Sequence, residues 1–448
     1  MALKQPNKEY LQCSGENESS GNEQGFEWIS LVVTISVDGK EMSGGIYGGD
    51  EVSGVVFDAG SHSLRVGFAG EEYPKGDIPS FVAVQEIEPD GDDVEMKEVA
   101  ESETAKKKRN IFIGTTSIVV PRPNTTIHSF MKDGMIEDWE MFENLLDYSY
   151  SKILHSEAQY HPALFTESAW NDKSKRERLT EVMFEKYNIP AFFLCKNATS
   201  AVPVYDGYAV THAVVRSPIG GDIICEQLQH MLDEQNIDLV PIYKIGGKEE
   251  VNENEAPRWT KRKGLPEILE DMALSILQLC DTPLDAEYAE KLPSAPYSFP
   301  NGFTKEFLAE RIKIPESLFD LKYLRNVSSS QSTLLNVTQI ATTAAGMCDI
   351  DIRPARILSR FTLYSGLMVT GGNSLILGFT ERLNHDLAHK CPPTIKLRVS
   401  AAPTPVERRF GAWIGGSILG SLGSFQQMWI AKSEYEETGR TIVENRCP

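Results

Sequence analysis

A short stretch around residue 58 combines the residue types that hold a phosphate group. In VVFDAGSHSLRVGFAG, residues 55–70, Asp58 ends an apolar run, and Gly60 and Ser61 follow at once. A carboxylate at a strand end can hold a magnesium ion through water, and a glycine turn lets backbone N–H groups converge on phosphate oxygens. Ser61 adds a hydroxyl donor, and Arg65 adds a positive charge. A plain hairpin closed by an Asx turn has the same pattern, so both interpretations stay open.

A second stretch with the same logic lies near the other end of the chain. Gly371, Gly372 and Asn373 follow the apolar run GLMV. Two glycines after a strand let the backbone come close to a flat ring or a sugar, although an ordinary strand-to-helix turn fits equally well. The segment IGGSILGSLGSFQQMW, residues 414–429, is not a P-loop because no GK[ST] follows. Its small residues are typical of close helix packing, and no HExxH, GxSxG or paired metal-ligand spacing occurs.

The composition indicates an acidic globular protein. The 448 residues include 44 Lys or Arg and 64 Asp or Glu, which gives a net charge of −20. Such a surface repels nucleic acid, so direct sequence-specific DNA binding is not expected, whereas basic protein partners are favoured. The seven cysteines are scattered and never spaced as CxxC, which disfavours a disulfide framework or a zinc site. No apolar run approaches the length of a membrane span, so no membrane association is expected.

Strand and helix patterns alternate along the chain, which indicates an α/β protein. Residues 1–41 are predicted to be a disordered, dispensable extension, because their opening part is polar and rich in Gly, Ser, Asn and Glu. Within it, WISLVVTISVDG is a short β-like run that has no evident partner. Residues 222–295 are predicted to be mostly helical and polar, with a loop at IGGKEEVNENEAP.

An acidic stretch, residues 86–109, ends in four consecutive basic residues: Lys106, Lys107, Lys108 and Arg109. This stretch is predicted to be a loop. Its basic end is either a part of the solvated surface or a nuclear-import signal.

Several long motifs resemble the actin family. They are WIGGSILGSLGSFQQMWIAKSEYEETG, FDAGSHSLRVGFAG, YSFPNGFTKEFLAERIKIPESLF and MVTGGNSLI. Within that family, MSGGIYGGDEV, MCDIDIRP, KRERLTEVMFEKYNIPAFFLCK and the closing RCP resemble the nuclear branch that includes actin-like protein six. The resemblance covers nearly everything from residue 42 to residue 448. It implies an actin-like fold of two ribonuclease-H-like α/β halves around a nucleotide cleft.

The resemblance also implies domain boundaries and a site. The first half (subdomains one and two) would comprise residues 42–200 and 411–448, and the second half (subdomains three and four) residues 201–410. ATP with magnesium would lie between them. The implied cofactor-binding residues are Asp58, Gly60, Ser61 and Arg65 in the first phosphate loop, His62 in place of a glycine, Gly371, Gly372 and Asn373 on the adenine side, Arg409 in place of a nucleotide-contacting lysine, and Gly220 at the cleft.

The chain departs from the family pattern in three places. Between Lys196 and Val202 the family has a helix, a strand and a second phosphate loop, but only NATSA stands here, so about twenty residues are absent. The segment ARILSRFT, residues 355–362, is extra and is expected to form a surface bulge. Residues 1–41 precede the family's usual start. We therefore expect a second half without its first strand, no catalytic residues, and weak or lost ATP binding.

The family resemblance implies a function as well. It points to a non-filamentous structural subunit of a nuclear chromatin-remodelling complex of the SWI/SNF type, or of a histone-acetyltransferase complex, that regulates transcription. The implied partners are a helical segment of the remodeller's motor ATPase, nuclear actin and other complex subunits. The alternative is an ATP-hydrolysing, polymerising cytoskeletal protein. That alternative needs both phosphate loops, and the missing segment argues against it.

Overall fold

The computed structural model describes residues 32–36, 53–86, 109–118, 120, 122, 125–132, 134–168, 171–196, 200–205, 208–217, 219–237, 245–249, 258–261, 269–285, 289, 291–325, 334–348, 367–390 and 397–447. In chain order the strands are β1 Val32–Ser36, β2 Val55–Ala59, β3 Ser63–Phe68, β4 Gly76–Pro79, β5 Phe81–Glu86, β6 Arg109–Phe112, β7 Thr125–Ser129, β8 Met131–Lys132, β9 Met135–Ile136, β10 Ala163–Glu167, β11 Ala191–Lys196, β12 Ser200–Tyr205, β13 Tyr208–Ala209, β14 Val215–Arg216, β15 Ile245–Glu249, β16 Arg258–Lys261, β17 Ala295–Ser298, β18 Thr304–Phe307, β19 Leu367–Thr370, β20 Val399–Ala401 and β21 Ile430–Ala431. The α-helices are α1 Thr115–Ile118, α2 Trp139–Tyr148, α3 Lys173–Glu181, α4 Gly221–Glu234, α5 Leu269–Ile276, α6 Glu310–Glu316, α7 Val337–Met347, α8 Phe379–Ala388, α9 Pro405–Ser421, α10 Lys432–Thr438 and α11 Ile442–Arg446.

The first half is built on a mixed sheet in the order β4-β3-β2-β10-β11-β21. Its central strand β2 is antiparallel to β3 and parallel to β10. The apolar residues Val55, Val56 and Phe57 of β2 are completely buried because this strand lies in the middle of the sheet. Helix α9 packs against the sheet, and the indole Nε1 of its Trp413 donates to the carbonyl oxygen of Val56 at 3.0 Å.

Gly416 permits the close approach of α9 to this sheet. A Cβ atom at Gly416 would lie 2.8 Å from Cγ1 of Val56 and 3.2 Å from Cδ2 of Leu164. A Cβ atom at the preceding residue, Gly415, would meet nothing within 4 Å. The small residues of this helix therefore allow close packing, here of a helix on a sheet.

These two glycines give opposite expectations for the same substitution. Gly416→Ala is expected to lower the free energy of unfolding by about 1–3 kcal/mol, because the new methyl group overpacks the core. Gly415→Ala is expected to raise it by roughly 0.5–1 kcal/mol, because alanine is the better helix former. Urea unfolding of the two variants beside the parent measures both changes. Equal changes in the two variants would contradict the tight contact at Gly416.

The second half is built on a sheet in the order β13-β12-β1-β19-β20, with β14 also paired to β12. Its central strand β1 comes from the N-terminal segment. Val33 lies opposite Ala201 in the parallel ladder with β12 and opposite Val369 in the antiparallel ladder with β19. The prediction of disorder for residues 1–41 is therefore wrong for residues 32–36, and the rest of that segment lies outside the described residues. The physical reason is that β12 and β19 both present N–H and C=O groups that need partners, which a β-branched segment can supply.

The polarity of β1 is opposite to that of its positional counterpart in the first half. There, β2 is antiparallel to β3 and parallel to β10, whereas β1 is parallel to β12 and antiparallel to β19. Because β12 and β19 run in opposite directions, a strand of either polarity makes one parallel and one antiparallel ladder between them. As a result, Thr370 lies opposite Val32, the first residue of β1. A strand of the other polarity would place its C-terminal end opposite Thr370.

Further expectations differ from the structure or lie outside the described residues. The region 222–295 contains α4 and α5 but also the antiparallel hairpin β15–β16, and β15 includes the start of the expected loop. Arg109 is an exposed residue at the start of β6 and so belongs to a strand. The boundary at 410/411 falls inside α9. Lys106, Lys107, Lys108 and the segment 355–362 lie outside the described residues.

Candidate functional site

A chain of charged side chains begins at the end of β2. Arg65 Nη1 donates to Asp58 Oδ2 at 2.8 Å, Arg65 Nε lies 3.7 Å from Asp77 Oδ1, and Arg409 Nη2 donates to Asp77 Oδ2 at 2.6 Å. Thr166 Oγ1 donates to Asp58 Oδ1 at 2.5 Å. Burial lowers the pKa of the Arg65 guanidinium, but the charges of Asp58 and Asp77 raise it by more, so the net pKa lies above its ordinary value. The carboxylate of Asp58 is thus balanced by a charge from within the protein.

The turn between β2 and β3 is held in place by neighbouring segments. Ser80 Oγ donates to the carbonyl oxygen of Gly60 at 2.7 Å, and the backbone N–H of Ser80 donates to the carbonyl oxygen of His62 at 2.6 Å. The backbone N–H of Gly134 donates to Ser61 Oγ at 3.0 Å. Hydrogen bonds within the protein therefore hold the shape of this turn. They are compatible both with a phosphate loop and with a plain hairpin.

The loop after β19 is attached to helix α9. Gly371 has φ of +97°, a conformation that favours glycine, and its N–H donates to the carbonyl oxygen of Arg408 at 2.7 Å. Thr370 Oγ1 donates to the same oxygen at 2.9 Å. Because Arg408 is adjacent to Arg409, α9 connects this loop with the charged residues around Asp58.

Asn373 is the residue of this loop whose side chain lacks partners among the described residues. It is completely buried, and within that part of the chain neither its amide oxygen nor its amide nitrogen has a hydrogen-bond partner. A buried polar group left unpaired costs about 1–3 kcal/mol. A ligand edge that carries both a donor and an acceptor, such as that of adenine, would satisfy this amide.

Gly220 and Gly372 complete the set predicted from the sequence. Gly372 begins a short 3-10 turn in the loop, next to Gly371. Gly220 is the buried N-cap of α4, and its carbonyl oxygen accepts from the N–H of Ile224 at 3.3 Å. The structure thus joins residues 58–65, 371–373 and 409 through α9. The hydrogen bond that Gly220 accepts from Ile224 lies within its own helix, α4.

A cavity of about 700 Å³ lies where α9 passes β19, and the sequence reasoning missed it. Its apolar lining includes Ile414, Ile418, Met368, Val369 and Tyr73, and its acidic lining consists of Glu71, Glu72 and Glu407. Ile418 is 56% exposed, although it is a large apolar residue. The signal in the sequence was the spacing of Ile414 and Ile418, which places both on one face of a helix.

The family follows from a comparison of the whole chain. The family model described as Actin matches residues 49–201 and 196–448. The chain belongs to the actin family. The match is divided around residues 196–201, where β11 ends and β12 begins and where the sequence reads NATSA.

Three similar relatives carry the name Actin-related protein 4. The chain is 34% identical to Actin-related protein 4 of Arabidopsis thaliana, over 90% of this chain and 100% of that protein. It is 32% identical to Actin-related protein 4 of Oryza sativa subsp. indica, over 90% and 100%, and 32% identical to that of Yarrowia lipolytica, over 88% and 95%. These relatives are actin-related proteins, and their name is not that of the actin-like protein six branch predicted from the motifs.

The actin family generally binds ATP with magnesium. The buried amide of Asn373, which lacks a hydrogen-bond partner among the described residues, fits the edge of an adenine base. The turn at Gly60 and Ser61 would hold phosphate. Residues 197–199 alone separate β11 from β12, and the polarity of β1 places Val32 at the end that faces Thr370. The predicted site residues thus include groups for the base and for one side of the phosphates, and the sequence between Lys196 and Ser200 is too short for the second phosphate loop that the family resemblance implies. Among the residues that the structure describes, no group of three or more His, Cys, Asp or Glu side chains is arranged to hold a metal ion, and no helix is long and apolar enough to cross a membrane.

Proposed function

We propose that this chain is a non-filamentous structural subunit of a nuclear chromatin-remodelling complex of the SWI/SNF type, or of a histone-acetyltransferase complex. In this role it contributes to transcriptional regulation and is not an enzyme. The observation that carries the proposal is the cavity between α9 and β19, whose lining combines apolar side chains with three glutamates. The name Actin-related protein 4 of the similar relatives supports an actin-related protein, and the motifs quoted from the sequence support its nuclear role.

The partner that best fits this cavity is an amphipathic helix with basic flanks. Ile414 and Ile418 offer an apolar strip one helical turn long, and a partner helix can lay its own apolar face on such a strip. The carboxylates of Glu71, Glu72 and Glu407 favour Lys and Arg on that helix and speed its association. A helical segment of the motor ATPase is the proposed occupant, with nuclear actin and other subunits bound elsewhere. Lys106, Lys107, Lys108 and Arg109 are the proposed import signal.

The test is a substitution at an exposed apolar residue of the cavity lining. Ile418→Glu is expected to lower the recovery of the motor ATPase from nuclear extract about tenfold or more, because an interface centre that loses an apolar anchor and gains a charge costs about 2 kcal/mol or more. Leu377→Glu is the matched control, since Leu377 is 65% exposed and does not line the cavity. Tagged chains are purified from nuclear extract, and the bound motor ATPase is identified and quantified by mass spectrometry.

The melting temperature and the recovery of the motor ATPase distinguish the possible outcomes. Neither variant is expected to change the melting temperature, because both side chains are largely exposed. Equal recovery of the motor ATPase by Ile418→Glu and by the parent would contradict binding in this cavity. If the tagged parent chain itself recovers neither a motor ATPase nor an acetyltransferase subunit from nuclear extract, the proposed function is contradicted.

A further inference from the structure

Two histidines stand one turn apart at the end of helix α8. His385 lies in the last turn of the helix, and His389 is its C-cap residue. Their Nε2 atoms are 3.1 Å apart, and their rings meet edge to face with centroids separated by 4.5 Å. His389 is exposed and His385 is partly exposed, so solvent reaches both rings.

A buried ion network fixes the first of these rings. His385 Nδ1 lies 3.3 Å from Asp386 Oδ1, and the same oxygen accepts from Arg382 Nε at 3.0 Å. Arg382 Nη1 in turn donates to Glu316 Oε2 at 2.6 Å, and both of these side chains are buried. A His385 that donates its Nδ1–H to Asp386 presents the lone pair of Nε2 toward His389. This is the support that carboxylates commonly give to metal-binding histidines.

We propose that His385 and His389 form a binding site for a late first-row divalent cation such as Ni²⁺ or Zn²⁺. The cation would bind both Nε2 atoms and displace the proton that now lies between them. His389 keeps one ring proton by carrying it on Nδ1, which is possible because its ring is exposed. Two nitrogens that are each about 2.0–2.1 Å from a metal ion and 3.1 Å from one another subtend roughly 100° at the metal. That angle lies between the square-planar and tetrahedral values, and imidazole suits metals of both geometries.

Water completes the coordination shell at this site. Among the described residues, no third His, Cys, Asp or Glu joins a metal-binding group. Asp386 is a positioning residue, because its Oδ1 already accepts from Arg382. The site is therefore open on its solvent side, where a further ligand from a bound protein has access to the metal.

Calorimetric titration of the full chain with Ni²⁺ tests the site. His385→Ala and His389→Ala are each expected to weaken binding at least about tenfold, since a supporting residue alone typically contributes 10–100-fold to metal affinity. Asp386→Asn is expected to weaken it about tenfold, with both histidines still in place. His128→Ala is the matched control, because this exposed histidine bonds to Thr126 on a strand of the first half. It should leave Ni²⁺ binding unchanged.

Two outcomes would overturn the site. One is equal Ni²⁺ affinity in the parent and in a chain that lacks both His385 and His389. The other is loss of binding in Cys391→Ser, two residues beyond His389 in the sequence, with affinity retained in the His385→Ala chain. That pattern would assign the metal to a thiol. Because His389 is exposed and His385 is partly exposed, a folding defect in the histidine variants is unexpected, and circular dichroism checks it.

Discussion

ATP titrated into the purified chain is expected to bind in the millimolar range or more weakly, and no ATP hydrolysis is expected. A second phosphate loop would contribute several charge-assisted hydrogen bonds of about 1.5–3 kcal/mol each. Loss of three such bonds removes about 5–9 kcal/mol, and each 1.4 kcal/mol is about tenfold in affinity. A micromolar site thus falls to millimolar or weaker. The remaining groups of the predicted site, the turn at Gly60 and the buried amide of Asn373, would hold only part of the ligand.

A matched pair of chains makes this expectation sharp. In the second chain, a family-type helix, strand and loop are restored between Lys196 and Ser200, and residues 1–41 are removed so that β1 does not compete. Fluorescent ATP is titrated into both chains with magnesium present. Micromolar binding by both would show that the first loop and the adenine side suffice, which would contradict the role given to the missing loop. Asn373→Ala in the restored chain tests the contribution of the adenine side on its own. It is expected to weaken the binding of ATP to that chain.

Proline in place of Val33 is expected to destabilise the second half by about 3 kcal/mol or more. Val33 is the second of the five residues of β1 and is paired on both sides, with Ala201 and with Val369. Proline removes a ladder N–H and is not accommodated in the middle of a sheet. The backbone groups of the neighbouring strands lose their partners, and each buried unpaired group costs about 1–3 kcal/mol. Deletion of residues 1–36 should have an even larger effect.

Hydrogen exchange with mass spectrometry locates this effect as well as measuring it. Val33→Pro should raise exchange in β12 and β19 and leave β2 and β10 unchanged, because those strands belong to the other sheet. Ser19→Pro provides the control for proline within the same N-terminal segment but outside β1. If hydrogen exchange in β12 and β19 is the same in the Val33→Pro and Ser19→Pro chains, β1 is not part of the sheet in solution. The segment would then be dispensable, as the sequence predicted.

Local sequence patterns were sufficient to predict those features that depend only on neighbouring residues. The apolar run that ends at Asp58, followed by Gly60, predicted the strand and turn, because a carboxylate and a glycine act through the backbone around them. Gly371 was identified in the same way, and its φ of +97° shows why glycine stands there. The long motifs of the resemblance were sufficient for the actin family and hence for the two-halved α/β fold.

Contacts between distant residues were decided only by the tertiary structure. No local pattern could show that β1 lies between β12 and β19, more than 160 residues away in sequence, because strand pairing depends on which edges lack a partner. The cavity at Ile418 and the ion pair between Arg409 and Asp77 likewise join segments from opposite ends of the chain. The sequence by itself determined the family and the strand-and-turn elements, and it predicted the residues that would hold a nucleotide. Only the tertiary structure decided which of these residues meet and which strand completes the second sheet, because burial and pairing depend on the whole fold.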